Sequence, residues 1–498
     1  MSSSAVKLIS ASGGGGYDDA GFAITLYASP YTTADSEILK QTDFNENTGK
    51  FIAQYGVDEP TTLCWDYDED TNTLTRESGR DVLWDHSSNI KLDPGSTAGT
   101  KNFRATNYND YVFCWFRYYH YSGYYPQWGG CSTVNGNLVW DRYYEFIGGS
   151  SANYVSCCEP LTANGIIVTA IGYGGSGSDI KQANIGRILN SNGAPIWHRS
   201  LYSSVDNSAR YYVPTHTQLD EDNGFVYVVG YGEIRNQTSG SEIWCLKLNL
   251  SDGTVDDSFT IYRPGTGETR PKGFRYDPET NKYFFVVTNT TYYASSRHVC
   301  LTIDASDNSI EGGFAIRYTS GTSWGTTNVS FAPDGSSVNV GFYNSTSGED
   351  GVMMISDLGS YPSLDRVMTT TSSGARISHL SGHTASGHLW INNVYRGNDG
   401  GGNSRFTTSI KVPHNLTSVT ASTVLNSGSN DTAFAYFISR STSAWSIENN
   451  YAHSLAIGSI INTAQATSSI YSNTSTNVDD SAPHTLSSGV EWEPITLA

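Results

Sequence analysis

The chain has 498 residues, of which 29 are basic and 48 acidic, giving a net charge of −19. A field of that sign repels phosphate backbones, so bulk binding to nucleic acid is not expected. With 50 Gly, 33 Tyr and only 15% charged residues, the composition suits turn-rich β-structure better than helices, and no run approaches the ~20 apolar residues of a membrane helix.

The opening residues, MSSSAVKLISASGGGG, lack the apolar core of a secretory signal, so the expectation is folding in a reducing cytoplasm with free thiols. GFAITLYAS at 21–29, with SEILKQTDF and KFIAQYG behind it, reads as one group of short strands. TLCWDYDED and DVLWDHS read as part of a second group. Within it, residues 66–77 place Asp66, Asp68, Asp70 and Glu77 at positions 1, 3, 5 and 12 of an EF-hand loop. The sixth position is Thr71, where that loop needs Gly, and no helical pattern flanks it. An acidic hairpin turn is the expected reading, and no metal or other cofactor is assigned.

From residue 98 onward the strand signals become regular. Cys114, Cys245 and Cys300 sit inside apolar strand patterns (YVFCWF, EIWCLKL, HVCLTI), which predicts buried thiols. WFRYYHYSGYYPQW at 115–128 carries eight aromatics in fourteen residues, with Ser-Gly and Pro marking a hairpin tip. Its Tyr121, Tyr124, Tyr125 and Trp128 are the candidate partner-binding residues, because exposed Tyr and Trp bury much area at small entropic cost. The competing reading is that these rings only pack sheet against sheet. Cys157 and Cys158 are adjacent in NYVSCCEP and read as two neighbouring thiols at a strand entry. GYGGSGSD at 172–179 lies between strands and not before a helix, so it is a loop and not a dinucleotide site.

Asn-Gly followed by Trp occurs in NGNLVWDRYY (135–144) and NGAPIWHRSLY (192–202), where Asn-Gly suits a type I′ hairpin turn. RDVLWDHSS supplies a third copy, and Trp84, Trp140 and Trp197 stand 56 and 57 residues apart. A second turn recurs ahead of apolar strands in LTANGIIVTAIG, LDEDNGFVYVVG, YDPETNKYFFVV and FAPDGSSVNVGF. Taking the apolar strand as a marker, copies begin near Val112, Ile166, Val226, Tyr283, Val338, Leu389 and Phe434. After it come a third strand such as EIWCLKLNL, a turn such as SDG and a fourth strand such as SFTIYR. Four antiparallel strands in each ~55 residues is the signature of a propeller blade. The fold class expected is all-β, a single β-propeller of seven or eight four-stranded blades. The Asn-Gly turns then lead into the fourth, outermost strands. Residues 98–476 hold the blades, 1–97 form an N-terminal blade or ring-closing segment, and 477–498 a tail or closing strand.

These turns resemble the Ser-Pro-Asp-Gly turns of TolB-like and WD-type propellers, and Gly-x-x-x-Trp resembles the tryptophan motif of quinoprotein propellers. The vicinal cysteines resemble a ring disulfide in quinoprotein alcohol dehydrogenases, which would imply a calcium site and an Asp base; neither is placed here. No sialidase-type Asp-box, Gly-x-Ser-x-Gly elbow, His-Glu-x-x-His or phosphate loop occurs in the chain. As a whole the Gly/Tyr/Ser/Thr/Asn-rich sequence is similar to propeller proteins in the virions of tailed bacteriophages, marine phages especially. That resemblance implies a non-enzymatic virion component, tail or fibre associated, made in the host cytoplasm and present in several copies or as a homo-oligomer. Its partners would be other virion proteins. A glycan- or receptor-binding propeller that meets a host surface glycan is the alternative, and a propeller enzyme comes third.

Overall fold

Hairpin turns set the register of the sheets. Asn164, Gly224, Asn281 and Gly335 each have φ between 53° and 76°, and each sits in a turn that the sequence marks. Gly and Asn are the residues that adopt this left-handed conformation at least cost. The computed structural model describes 38 strands and, between them, residues 164, 189–194, 221–224, 241, 250–254, 278–281, 305–309, 332, 335–336, 357–358, 362 and 414–416. Side chains are described mainly between residues 161 and 369.

The strands form seven sheets, or blades, plus one two-stranded pair. Blade I holds Leu39–Asn45, Lys50–Tyr55, Thr61–Asp68 and Thr73–Thr75. Blades II to VI begin at Phe103, Tyr154, Tyr212, Glu268 and Trp324, each with four consecutive antiparallel strands. Blade VII holds Ala375–Gly382, His388–Asn398 and Asn403–Pro413, and takes Phe22–Ala28 as its fourth strand. First strands of neighbouring blades lie side by side from blade I round to VII and back to I, which closes a ring of seven.

Six of the seven markers fall in second strands: Tyr111–Arg117, Gly165–Gly174, Phe225–Gly232, Lys282–Thr290, Ser337–Asn344 and His388–Asn398. The copy expected at Phe434 does not start a blade. Phe434 itself lies outside the described residues, and Phe437–Arg440 behind it pairs with the outer edge of blade VI. The N-terminal grouping also differs. GFAITLYAS completes blade VII, while SEILKQTDF and KFIAQYG belong to blade I with TLCWDYDED. The last blade takes its fourth strand from the beginning of the chain, so strands that follow one another there belong to two different sheets.

Nor are the fourth strands outermost. The chain beyond residue 436 runs backward around the rim and adds a fifth strand to blade after blade. Phe437–Arg440 pairs with blade VI, Trp445–Asn449 with V, Ala456–Gly458 with IV, Thr463–Thr467 with III and Tyr471–Thr474 with II. Val490–Pro494 pairs with Phe22–Ala28 of blade VII. Blade I, passed over between them, takes its fifth strand from Ala5–Lys7. Thr496–Leu497 then pairs with Leu425–Asn426, a short strand that precedes the strap in sequence.

Packing follows from two-residue alternation on strands buried on both faces. In blade V, Tyr283, Phe285 and Val287 join Tyr227, Val229 and Phe259 of blade IV. Phe284 and Val286 of the same strand point the other way, to Val338, Val340 and Phe342 of blade VI. Blades III and IV meet in the same manner through Ile167, Ile185 and Trp197 against Val226, Trp244 and Leu246. The side chains of Cys131, Cys245 and Cys300 are buried. The side chains of Cys114, Cys157 and Cys158 lie outside the described residues; the backbones of the last two pair with Thr169 and Val168 beside a bulge. Asp66 and Asp68 sit on a hairpin, paired with Thr75 and Thr73, while Asp70 and Glu77 lie outside the described residues.

Candidate docking face

In blades III and IV the third strand turns into the fourth through the same device. In blade III the amide of Leu189 donates to Ala194 O at 2.8 Å and that of Gly193 to Leu189 O at 2.9 Å. Blade IV repeats this with Asn249, Thr254 and Gly253, at 2.9 and 2.8 Å. Gly193, Gly253 and Asn308 hold the equivalent left-handed position, with φ of 68°, 71° and 59°. This is not the two-residue type I′ turn that Asn-Gly suggests. Only Gly193 is left-handed, and Asn192 Oδ1 instead accepts the Ala194 amide at 2.9 Å, an Asx turn within a longer loop.

Immediately after the turn the ladder slips by one residue, at the same place in five blades. The shifts lie opposite Cys131/Ser132, Arg187/Ile188, Lys247/Leu248, Thr302/Ile303 and Met354/Ile355. The extra residues are Val139, Ile196, Asp256, Glu311 and Asp365. A bulge leaves its extra residue unpaired and re-aims its side chain. Val139 and Ile196 are each 39% exposed. Asp256 and Glu311 form ion pairs at 2.8 Å with Lys247 and Lys282. One repeated position is therefore apolar on blades II and III and acidic on IV, V and VI.

Tyr111 extends the apolar part. It opens the second strand of blade II, pairs with Thr133, and so stands at the same end of that sheet as the bulge at Val139. It is 39% exposed. Three of the four exposed large hydrophobics among the described residues thus lie on the turn end of two neighbouring blades; Tyr343 is the fourth.

Buried donors fix this end. Trp140 Nε1 donates to Asn190 O at 2.7 Å, and Trp197 Nε1 to Leu250 O at 2.8 Å. Both tryptophans sit one residue past the bulge, on fourth strands, and reach equivalent carbonyls in the turn of the next blade. Asp257 holds that place in blade IV and accepts from Asn308 Nδ2 at 2.9 Å. Trp84 lies outside the described residues. Two turn carboxyls have pKa values below the usual range: Asp252 through the backbone amide and hydroxyl of Thr254, Asp304 through the hydroxyl and amide of Ser306. Among the described residues no group of three His, Cys, Asp or Glu side chains could hold a metal ion, and no helix is long and apolar enough to cross a membrane.

Tyr121, Tyr124 and Tyr125 lie outside the described residues. Their flanking strands pair Arg117 with Gln127, at the opposite end of blade II from Tyr111. The backbone of Trp128 pairs with Phe116 and Tyr143 within the third strand. The strand ends that flank the hairpin, Arg117 and Gln127, therefore lie at the end of blade II away from the bulge at Val139. Sequence reasoning missed Val139 and Ile196 because each looks like an ordinary strand residue. Aligning the five bulges would have found them.

A closed ring of seven antiparallel blades defines a β-propeller. No known protein family matches the sequence, and no curated protein does. Among solved structures the chain is similar to an oligogalacturonate lyase in complex with manganese, at 10% identity and a TM-score of 0.38, over 80% of this chain and 99% of that one. It is also similar to Sqt1 of Saccharomyces cerevisiae, at 10% identity and a TM-score of 0.37, over 78% and 99%.

Proposed function

We propose that this propeller is a non-enzymatic structural component of a tailed-phage virion, tail or fibre associated, which docks neighbouring virion proteins through its faces and loops. The observation that supports this reading best is the apolar group Tyr111, Val139 and Ile196 on the turn end of blades II and III. Blade strands are fixed by mutual packing, so recognition falls to turns and edges. A repeated bulge whose extra residue is apolar only on adjacent blades is a surface that another protein can cover. The net charge of −19 favours basic or apolar protein neighbours over nucleic acid.

The test is to band virions of the source phage by density and probe them with antibody against this chain. A fixed copy number per particle, retained through repeated banding, is the expected result. Recovery only in the soluble lysate, with specific binding on an array of host-surface glycans, would replace it with the glycan-binding alternative.

A further inference from the structure

The strap that runs around the rim differs from the blades it binds. Its five successive strands on blades VI to II are three to five residues long, joined by connections of three to six. Strands of the blades they pair with run to ten residues. Among the described residues each strap strand is held along one edge, in three to five backbone pairs. Thr496–Leu497, behind the strap, is held to Leu425–Asn426, ahead of it, through two described pairs, Leu425 with Leu497 and Asn426 with Thr496.

Stability is not uniform across a structure, and elements held by few contacts open at lower cost than the core. A fourth strand that loses its strap presents a row of free amides and carbonyls, which is a template for strand addition. The polypeptide whose register matches all of those edges is the strap of this same chain. An exchanged strap re-forms the same pairs between two copies that it forms within one, the low-cost route to association between identical chains.

We propose that the five rim strands Phe437–Arg440, Trp445–Asn449, Ala456–Gly458, Thr463–Thr467 and Tyr471–Thr474 form an exchangeable strap: they open together before the blades do, and the rim that they uncover accepts the same strands of a second copy of this chain. Closed on its own ring, the strap seals the edges with short strands that discourage further addition. Open, it links discs through five paired segments at once. Simultaneous engagement of several weak segments gives the link its strength. The inference does not depend on the virion reading.

Two measurements on the full chain decide it. Native-state hydrogen exchange at rising denaturant should release the amides of 437–440, 445–449, 456–458, 463–467 and 471–474 well before those of 225–232 and 282–290. Exchange of both sets in one step would overturn the proposal. For the second, Thr369→Cys and Ile438→Cys are made in separate copies. These residues are register partners. Antiparallel partners lie about 4.5–5.5 Å apart at Cα, within disulfide reach. The two proteins, mixed at the denaturant that opens the strap and then returned to buffer and oxidised, should give a disulfide-linked dimer absent from either alone. The chain carrying both substitutions should close an internal bridge and resist exchange. Early opening without any mixed dimer would also overturn the proposal, leaving a strap that frays but is not exchanged.

Discussion

Trp197 of blade III donates its indole N–H to the carbonyl oxygen of Leu250, in the turn of blade IV, at 2.8 Å. The ring carbons that do not bond lie against Gly253, whose added Cβ would stand 2.6 Å from Cε3. Donor and packing surface are therefore separable. Trp197→Phe keeps most of the apolar contact and loses the hydrogen bond, which should cost about 1 kcal/mol. Leu250 O retains Arg187 Nη1 at 2.9 Å, so it is not orphaned. Trp197→Ala should cost ~3–5 kcal/mol, because a cavity adds to the transfer loss. Denaturation midpoints for the two variants, followed with one probe, check the order. Equal losses would mean that the indole N–H contributes nothing beyond its ring.

Glycines in these strands make opposite predictions from neighbouring blades. A Cβ at Gly230 would lie 2.2 Å from both Trp244 Cζ2 and Val213 O, and one at Gly351 would lie 2.3 Å from Met368 O. Backbone and a buried indole cannot yield, so Gly230→Ala and Gly351→Ala should each cost several kcal/mol or prevent folding, beyond the ~1–3 kcal/mol typical of overpacking. At Gly312 nothing lies within 4 Å of the same atom. Gly312→Ala should be neutral or stabilise by roughly 0.5 kcal/mol, since it removes conformational freedom from the unfolded chain. Expression level and thermal midpoint separate the three. A destabilised Gly312→Ala would mean that the second bulge-side residue of blade V needs glycine for its backbone.

Stability should fall on both sides of neutrality, for different groups. Burial pushes the thiols of Cys131, Cys245 and Cys300 and the phenol of Tyr283 well above their ordinary values. Burial raises Tyr227 as well, with Tyr283 and Tyr276 beside it adding to the shift. A raised folded value means that the unfolded chain ionises first. The contribution is thus complete below the unfolded values, about 8.5 for a thiol and about 10 for a tyrosine, and declines as pH rises beyond them. Asp252 and Asp304 are lowered, so their contribution is present above about pH 4 and is lost as pH falls through the folded values. Asp252→Asn with Asp304→Asn should flatten the acid limb and leave the alkaline limb alone. Alkylation offers a companion measurement: the three buried thiols should resist iodoacetamide in the native protein at pH 8 and react once it is unfolded.

How far the sequence carried these conclusions depended on whether a feature was local. Asn164, Gly224, Asn281 and Gly335 are legible because a left-handed turn needs particular residues at one place, whatever surrounds it. The strand that follows each is legible because burial on both faces leaves a continuous apolar run. Partnership is not local. FISR at 437–440 and WSIEN at 445–449 have the same alternation as blade strands, and nothing in them names the edges of blades VI and V. Phe22–Ala28 misled for the same reason: its partners, Phe406–Lys411, lie almost four hundred residues away. The docking face escaped because a bulge is a relation between two strands. Val139 becomes special only when its neighbour Leu138 is seen to pair with Ser132 and Trp140 with Cys131.

Val139 and Ile196 carry the last prediction, and the repeat supplies its control. The same bulge position is occupied by Asp256 and Asp365 in blades IV and VI, both exposed. An aspartate is thus compatible with the backbone there, and Val139→Asp with Ile196→Asp should leave the thermal midpoint nearly unchanged, as exposed substitutions usually stay within about 0.5 kcal/mol. Docking should suffer. Truncation of an interface anchor costs ~2 kcal/mol or more, about thirtyfold in affinity, and a charge set against an apolar partner adds desolvation. Incorporation of the double variant into banded particles, measured against the unmodified chain in the same lysate, should drop by at least that factor. Tyr124→Ala with Tyr125→Ala, in the connection between Arg117 and Gln127, belongs in the same experiment. Loss with the aspartates and not with the alanines assigns attachment to the turn end of blades II and III. Loss with the alanines alone moves it to the aromatic hairpin. If the aspartate variant instead unfolds several degrees early, Val139 and Ile196 are packing residues and the proposed face is withdrawn.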